Sequence, residues 1–229
     1  MKPILPRALG RLRPGELLVH ETFQSIQGET THAGRPCFFI RLAGCHLRCV
    51  WCDTKYAYRE GKVLTVKDCL RLAAKASSRL VEVTGGEPLL QKSVHALLGG
   101  LCDAGFEVLL ETSGSLPIDR VDPRVRRIVD WKCPGSGMRR KNDPSVLRAL
   151  KPGDELKLVI AHRRDYEWAR SWVRRARSRI HPGVPVHFSP VFGQLSYRVL
   201  AAWIIADGLP VRLGLQAHKW IWGARARGV

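Results

Sequence analysis

One pattern dominates the sequence after residue 60: a short apolar, β-prone run, then a longer segment with helical periodicity. Strand-like runs fall at residues 80–83, 106–110, 127–131, 156–160, 184–188 and 211–215, with an earlier one at 36–42. Helical segments fall at 65–76, 90–104, 165–178 and 197–206. Thr65 is suited to cap the first, with Asp68 three residues on completing a capping box. The third puts Ala169, Trp172, Val173 and Ala176 on one face. Parallel neighbours need a crossover long enough for a helix, so such alternation predicts a parallel sheet, open or curved into a partial barrel. In such sheets chemistry collects beyond the C-terminal ends of the strands.

At 229 residues and 45% hydrophobic content the chain suits a single domain spanning residues 1–229. The longest apolar stretch, residues 199–206, is far too short to cross a bilayer. Residues 1–14 alternate Pro, Arg and Leu without the continuous apolar core of a secretory signal, so the expected location is the cytoplasm.

Seven cysteines, an odd number, with three of them inside eight residues, do not make a disulfide framework. In a reducing compartment such crowding points to metal. Cys69 and Cys102 fall on predicted helices and read as small buried hydrophobes. The formal charge of +18 favours acidic partners, but the basic residues are spread along the chain. No aromatic residues interleave with them as in an RNA-binding sheet, so a nucleic-acid partner is not expected.

Gly44-Cys45-His46-Leu47-Arg48-Cys49-Val50-Trp51-Cys52-Asp53-Thr54 carries a C-x3-C-x2-C arrangement. Three thiolates on one short loop can each take one iron of a cubane cluster and leave the fourth iron open to a small molecule. A zinc knuckle would need a fourth ligand, from His46 or a distant cysteine. About thirty residues on, Thr84-Gly85-Gly86-Glu87-Pro88 ends a predicted strand. Its glycines admit close backbone approach and its carboxylate can accept from an ammonium.

The two motifs in this order resemble the radical S-adenosylmethionine (SAM) superfamily. The flanks sharpen the resemblance: Glu21-Thr22-Phe23-Gln24-Ser25-Ile26-Gln27-Gly28-Glu29 precedes the cysteines and Cys52-Asp53-Thr54 closes them. Glu111-Thr112-Ser113-Gly114, Asp130-Trp131-Lys132, Ser189-Pro190 and Gln216-Ala217-His218-Lys219 follow. Together, from about Glu21 onward, they resemble the 7-carboxy-7-deazaguanine synthase family of queuosine biosynthesis. The family usually has Gly after the Ser-Ile-Gln-Gly-Glu segment, where this chain has Thr30.

That resemblance implies a partial, open (β/α) barrel of the radical SAM type, usually a homodimer. The chain would carry one [4Fe–4S] cluster, SAM and Mg²⁺. The activity implied is a carbon–nitrogen lyase reaction turning 6-carboxy-5,6,7,8-tetrahydropterin into 7-carboxy-7-deazaguanine and ammonia. A 5′-deoxyadenosyl radical starts the ring contraction. Cys45, Cys49 and Cys52 would hold the cluster and Thr54 the Mg²⁺. SAM would lie against Trp51, Cys52, Asp53, Gly86, Glu87, Asp130, Trp131, Lys132, Ser189, Pro190, Val191 and Phe192. The pterin would meet Ile26, Gln27, Gly28, Glu29, Arg41, Thr84 and the terminal carboxylate of Val229. Residues 1–20 would be an N-terminal extension and 216–229 a tail closing the site. An acidic electron donor such as a flavodoxin would be the protein partner. A glycyl-radical-enzyme activating protein shares the cysteine spacing, and a zinc-bearing RNA-binding module would suit the charge. The Ser25 to Glu29 segment and the Asp53-Thr54 pair argue against the activating protein.

Overall fold

The computed structural model describes residues 5–229. Its strands are β1 (Glu16–Ile26), β2 (Pro36–Leu42), β3 (Lys62–Thr65), β4 (Leu80–Gly85), β5 (Glu107–Thr112), β6 (Arg126–Asp130), β7 (Glu155–Ile160), β8 (Val186–Pro190) and β9 (Arg212–Leu213). Its α-helices are α1 (Val66–Lys75), α2 (Val94–Asp103), α3 (Pro144–Ala149), α4 (Arg163–Ala176), α5 (Tyr197–Ala206) and α6 (Ala217–Ile221). Among the described residues the nine strands form one sheet in the order β3-β1-β2-β4-β5-β6-β7-β8-β9. From β2 to β9 all neighbours are parallel, while β1 runs antiparallel to both β2 and β3. The two edge strands do not pair with each other, so the curved sheet is an open barrel.

Strand alternation sorts the side chains into two environments. Ile40, Leu42, Val81, Val83, Val108, Leu110, Val129, Leu156, Leu158 and Phe188 point outward and join the helices in the main core. The alternate positions point inward. At the base, Cys37, Phe39, Leu80, Leu109 and Ile128 make a small apolar floor, with Phe23 against it. Higher on the same face stand Arg41, Glu82, Thr84, Glu111, Asp130 and Lys157. The barrel is therefore greasy at the bottom and charged toward the top.

Helix ends follow local chemistry. Thr65 caps α1 by accepting from Asp68 N, while Asp68 accepts from Thr65 N, the reciprocal box expected. Such a cap contributes about 1 kcal/mol. In α4, Ala169, Val173 and Ala176 are buried, and Trp172 is half-buried against the core. Tyr166, fully buried, donates to Trp203 O or to Asp207 Oδ2, both at 2.6 Å, and so pins α4 to α5.

Four details depart from the sequence reading. The segment expected to be helical from residue 90 becomes α-helix at Val94. Gln91 is buried instead, its amide bonded to Leu18 N, Leu18 O and Ala43 O, which holds residues 91–93 out of the helix. A short helix that the sequence reading did not place, α3, lies between β6 and β7. The run at 211–215 pairs only over Arg212–Leu213. Finally, the long strand β1 carries no clear period-two signal, because its register shifts between Val19 and Glu21. Leu17 and Val19 face the helices, whereas Phe23 and Ser25, beyond the bulge, face the barrel interior.

Candidate active site

The mouth of the barrel opens into a cavity of about 590 Å³, within the usual range for small-molecule sites. Its wall begins with the cysteine loop, which leaves the C-terminal end of β2. Glu87 N donates to Gly44 O at 2.9 Å and Gly86 N to Leu42 O at 3.1 Å, so the Gly-Gly-Glu turn is clipped onto this loop. The clip explains the glycines. A Cβ on Gly85 would stand 2.2 Å from Leu42 O, and one on Gly86 would stand 2.3 Å from Gly44 O. Two motifs some thirty residues apart are thus one structural unit.

Cys45, Cys49 and Cys52 all line the cavity with free thiols. Burial pushes the Cys45 thiol up to about 11 and raises Cys49 as well. Among the described residues no three His, Cys, Asp or Glu side chains stand at single-ion spacing. Three free thiols on one loop at the rim of an open cavity can take three irons of a cubane and leave the fourth without a protein ligand, so the donor set fits such a cluster. Tyr58 lies against Cys52, and Arg48 covers the Tyr58 ring at 4.4 Å.

Beside the sulfurs, Lys132 is nearly buried and pairs with Asp130 at 2.7 Å. Burial works against its charge, but Asp130 and Cys49 outweigh it and raise the ammonium above its ordinary range. A solvent-facing lysine is thereby ruled out. Asp130 lines the cavity, and its Oδ1 is buried without a hydrogen-bond partner among the described residues.

The opposite wall comes from the two ends of the chain. Ala217 N donates to Gly28 O at 2.8 Å, and Gln216 Nε2 donates to Glu29 Oε1 at 3.0 Å. A Cβ on Gly28 would fall 2.2 Å from His218 Nδ1, so the Gln-Gly-Glu and Gln-Ala-His-Lys segments meet only because that residue is glycine. The residue after them, Thr30, has φ 62°, the one non-glycine residue with positive φ among those described. Its β-branch is costly there, which explains a preference for glycine at this point.

Below this wall lies a buried polar layer. Lys157 bridges Glu111, at 2.6 Å, and Glu29. Thr84 Oγ1 donates to Glu111 Oε2 at 3.1 Å. Gln27 donates to Glu82 Oε2 at 2.5 Å and accepts from Glu29 N at 2.6 Å. Glu82 is 2% exposed; burial, then the neighbouring Glu111 charge, push its carboxyl up to about 8. Nearer the mouth Arg41 pairs with Glu21 at 2.7 Å, and its guanidinium lies over the Phe23 and Tyr56 rings. Asp53 pairs with Lys219 at 2.7 Å and accepts from Thr54 Oγ1 at 3.0 Å.

Of the residues singled out in the sequence, the cavity gathers Ile26, Gln27, Gly28, Glu29, Arg41, the three cysteines, Trp51, Asp53, Thr54, Thr84, Gly86, Asp130, Lys132, Ser189, Pro190, Val191, Phe192 and Val229. Glu87 and Trp131 are not among its lining. The Glu87 carboxylate, 0% exposed, accepts instead from Thr112 Oγ1, Ser113 N and Leu89 N, so it braces the turn from behind. Trp131 is buried on the outer face against Trp172, ring centroids 5.4 Å apart. Alternation along the strand end places it opposite Asp130 and Lys132. Glu82 and Lys157 escaped the sequence reading, although a charge inside Val81-Glu82-Val83 or Leu156-Lys157-Leu158 is the signal of a strand whose second face lines a site. Glu111, Gln216 and His218 sat in recognised motifs without a role.

Comparison with known proteins agrees with this arrangement. Residues 39–130 match the radical SAM superfamily. A 7-carboxy-7-deazaguanine synthase of Chlorobaculum tepidum is 48% identical over 216 residues, 93% of this chain and 97% of that protein. One from Koribacter versatilis is 40% identical, over 92% of this chain and 99% of that protein. The crystal structure of QueE from Escherichia coli matches with a TM-score of 0.74 at 25% identity, covering 89% of this chain and 95% of that one.

Proposed function

The chain belongs to the 7-carboxy-7-deazaguanine synthase family of radical SAM enzymes, and from that premise we propose how its own residues serve the reaction. The reaction is the lyase conversion of 6-carboxy-5,6,7,8-tetrahydropterin to 7-carboxy-7-deazaguanine and ammonia, a step of queuosine biosynthesis. The observation that carries this reading is the backbone clip that sets the cysteine loop and the Gly-Gly-Glu turn on one rim of a cavity whose other rim is the Ser25 to Glu29 segment.

When bound, the [4Fe–4S] cluster and SAM supply the radical that takes a hydrogen atom from the substrate. Cys45, Cys49 and Cys52 would hold the cluster through three thiolates. The SAM lobe is lined by Trp51, Asp53, Gly86, Asp130, Lys132 and Ser189 to Phe192. Asp130 would be an acceptor there beside Lys132, whose ammonium would be the counter-charge for a carboxylate. Glu87 keeps the turn rigid rather than touching the cofactor, and Trp131 packs behind it.

The pterin lies between Ile26, Gly28 and the polar layer. Gln27 spends its amide on Glu82 and on Glu29 N, so it shapes the pocket through the backbone it holds. Glu29 and Thr84 present oxygens to the amino-pyrimidine side. Arg41, bonded to Glu21 through Nε alone, takes the substrate carboxylate with its other guanidinium donors. Thr54 offers one oxygen to Mg²⁺, with Asp53 beside it and substrate oxygens and waters completing the shell. The tail through Val229 lines the cavity and closes over the substrate.

The enzyme is further proposed to act as a homodimeric, single-domain cytoplasmic protein reduced by a flavodoxin. No helix among the described residues is long and apolar enough to cross a membrane. The test is an anaerobic assay of reconstituted protein with the pterin, SAM, Mg²⁺ and reductant. About four irons per chain and formation of the deazaguanine support the reading; a single zinc and no product sink it.

A further inference from the structure

The cysteine loop turns one apolar side chain outward. Val50, between Cys49 and Cys52, is 64% exposed, while Cys45 is buried and the other two cysteines are half-buried against the cavity. Its surroundings are built by the segment after β6. Val50 N donates to Ser136 O at 3.1 Å, and a Cβ on Gly137 would stand 3.7 Å from Val50 Cγ2. Arg48 N donates to Met138 Sδ at 3.5 Å.

The next residues, Arg139–Lys141, form a 3-10 turn whose three cations are all exposed. On the other flank exposed Lys55 donates to Val50 O at 3.3 Å. Among the described residues none of Lys55, Arg139, Arg140 and Lys141 has an ion-pair partner, and the sequence holds no acid between Asp130 and Asp143. Some cations elsewhere are answered, as in Arg163–Glu167, Arg170–Asp207 and Arg124–Asp122, and the remaining positive charge is spread along the chain. Four exposed cations without an ion-pair partner among the described residues thus flank one apolar contact on the solvent side of the cysteines.

We propose that Val50 and the rim of Lys55, Arg139, Arg140 and Lys141 form the docking face for an acidic one-electron carrier protein. The inference rests on the radical SAM reading and locates its electron entry. One electron leaves the carrier and the cluster passes from the 2+ to the 1+ state; no bond forms or breaks. The cavity side of the cysteines is taken up by the cofactor lobe, so the loop segment Cys49 to Cys52 is the short route from outside. Charge complementarity selects an acidic partner and Val50 supplies the desolvated contact. The ring that Arg139 covers, Trp168, is half-buried and stacked on Trp172, which disfavours base stacking by a nucleic acid.

The test follows cluster reduction anaerobically in the holoenzyme, with flavodoxin hydroquinone and, separately, with dithionite. R139E/R140E/K141E is compared with K75E/R174E/R175E, which makes the same charge change at helix ends facing the opposite mouth of the barrel. At low ionic strength the rim variant should be reduced by flavodoxin at least 10-fold more slowly than the wild type. The deficit should shrink above about 0.1 M salt, where screening lengths fall below about 10 Å. Val50→Asp should slow flavodoxin alike, and dithionite should reduce all variants at similar rates. An unchanged rim variant, or equal losses in the two triple variants, overturns the docking face. A wild-type chain that dithionite cannot reduce overturns the radical SAM premise instead. Tight oligonucleotide binding abolished by the rim variant also overturns the proposal.

Discussion

Replacing Glu82 by Gln should make the protein increasingly more stable than the wild type as pH rises. Glu82 is buried against Gln27 and Glu29 at the end of β1, Cys37 on β2, Glu111 on β5 and Lys157 on β7. Burial, then Glu111, lift its carboxyl from 4.5 to about 8. In the unfolded chain the group ionises near its ordinary value, so between these pH values the unfolded state releases a proton that the folded state keeps. A raised carboxyl contributes fully below the lower value, and its contribution is lost as pH climbs to the upper one. The loss is at most about 1.4 kcal/mol per pH unit, on the order of 5 kcal/mol across the window. Gln is neutral throughout and its carbonyl oxygen can still accept from Gln27. For a chain of this size 1 kcal/mol moves the melting midpoint by about 2–4 °C. Anaerobic thermal melts of both proteins should therefore diverge by about 3 °C per pH unit from pH 5 to pH 8, then run parallel. Any constant offset reflects packing and does not matter. Parallel curves across the whole range would refute a protonated Glu82.

Three further outcomes follow from the site. Cys45→Ala should lose iron and turnover together, because three ligands leave no spare, whereas Cys69→Ala, buried in α1, should keep both; iron analysis beside the turnover assay decides. Thr54→Val should raise the Mg²⁺ concentration needed for half-maximal rate while the SAM KM stays within about twofold, since one oxygen ligand is removed at similar volume. Trp131→Phe should lower the melting midpoint through lost packing on Trp172, yet leave the SAM KM within about twofold because the ring does not reach the cavity; a tenfold rise in KM would put the indole back in the site.

Local signals in the sequence determined much of this protein. Cysteine spacing, the Gly-Gly-Glu turn, the Thr65 capping box and most of the strand positions can be read directly, because each depends on neighbours within a few residues. The curved parallel sheet follows from the βα alternation, for chain connectivity leaves few other solutions. What only the tertiary structure decided is which face each residue presents and what it meets there. Glu87 looks like a ligand in sequence, but the end of β5 supplies three donors that draw its carboxylate behind the turn. Trp131 lies in a motif whose neighbours both reach the cavity, and alternation turns it to the core. Glu82 and Lys157 look like flaws in apolar strands until curvature closes the inner faces of β4, β5 and β7 around them. The bulge in β1 reverses its facing after Val19, which no period could reveal. Gly28 and His218, 190 positions apart, show the same thing: a contact across the whole chain is set by the closure of the fold, and the energy of that closure is not written in either segment alone.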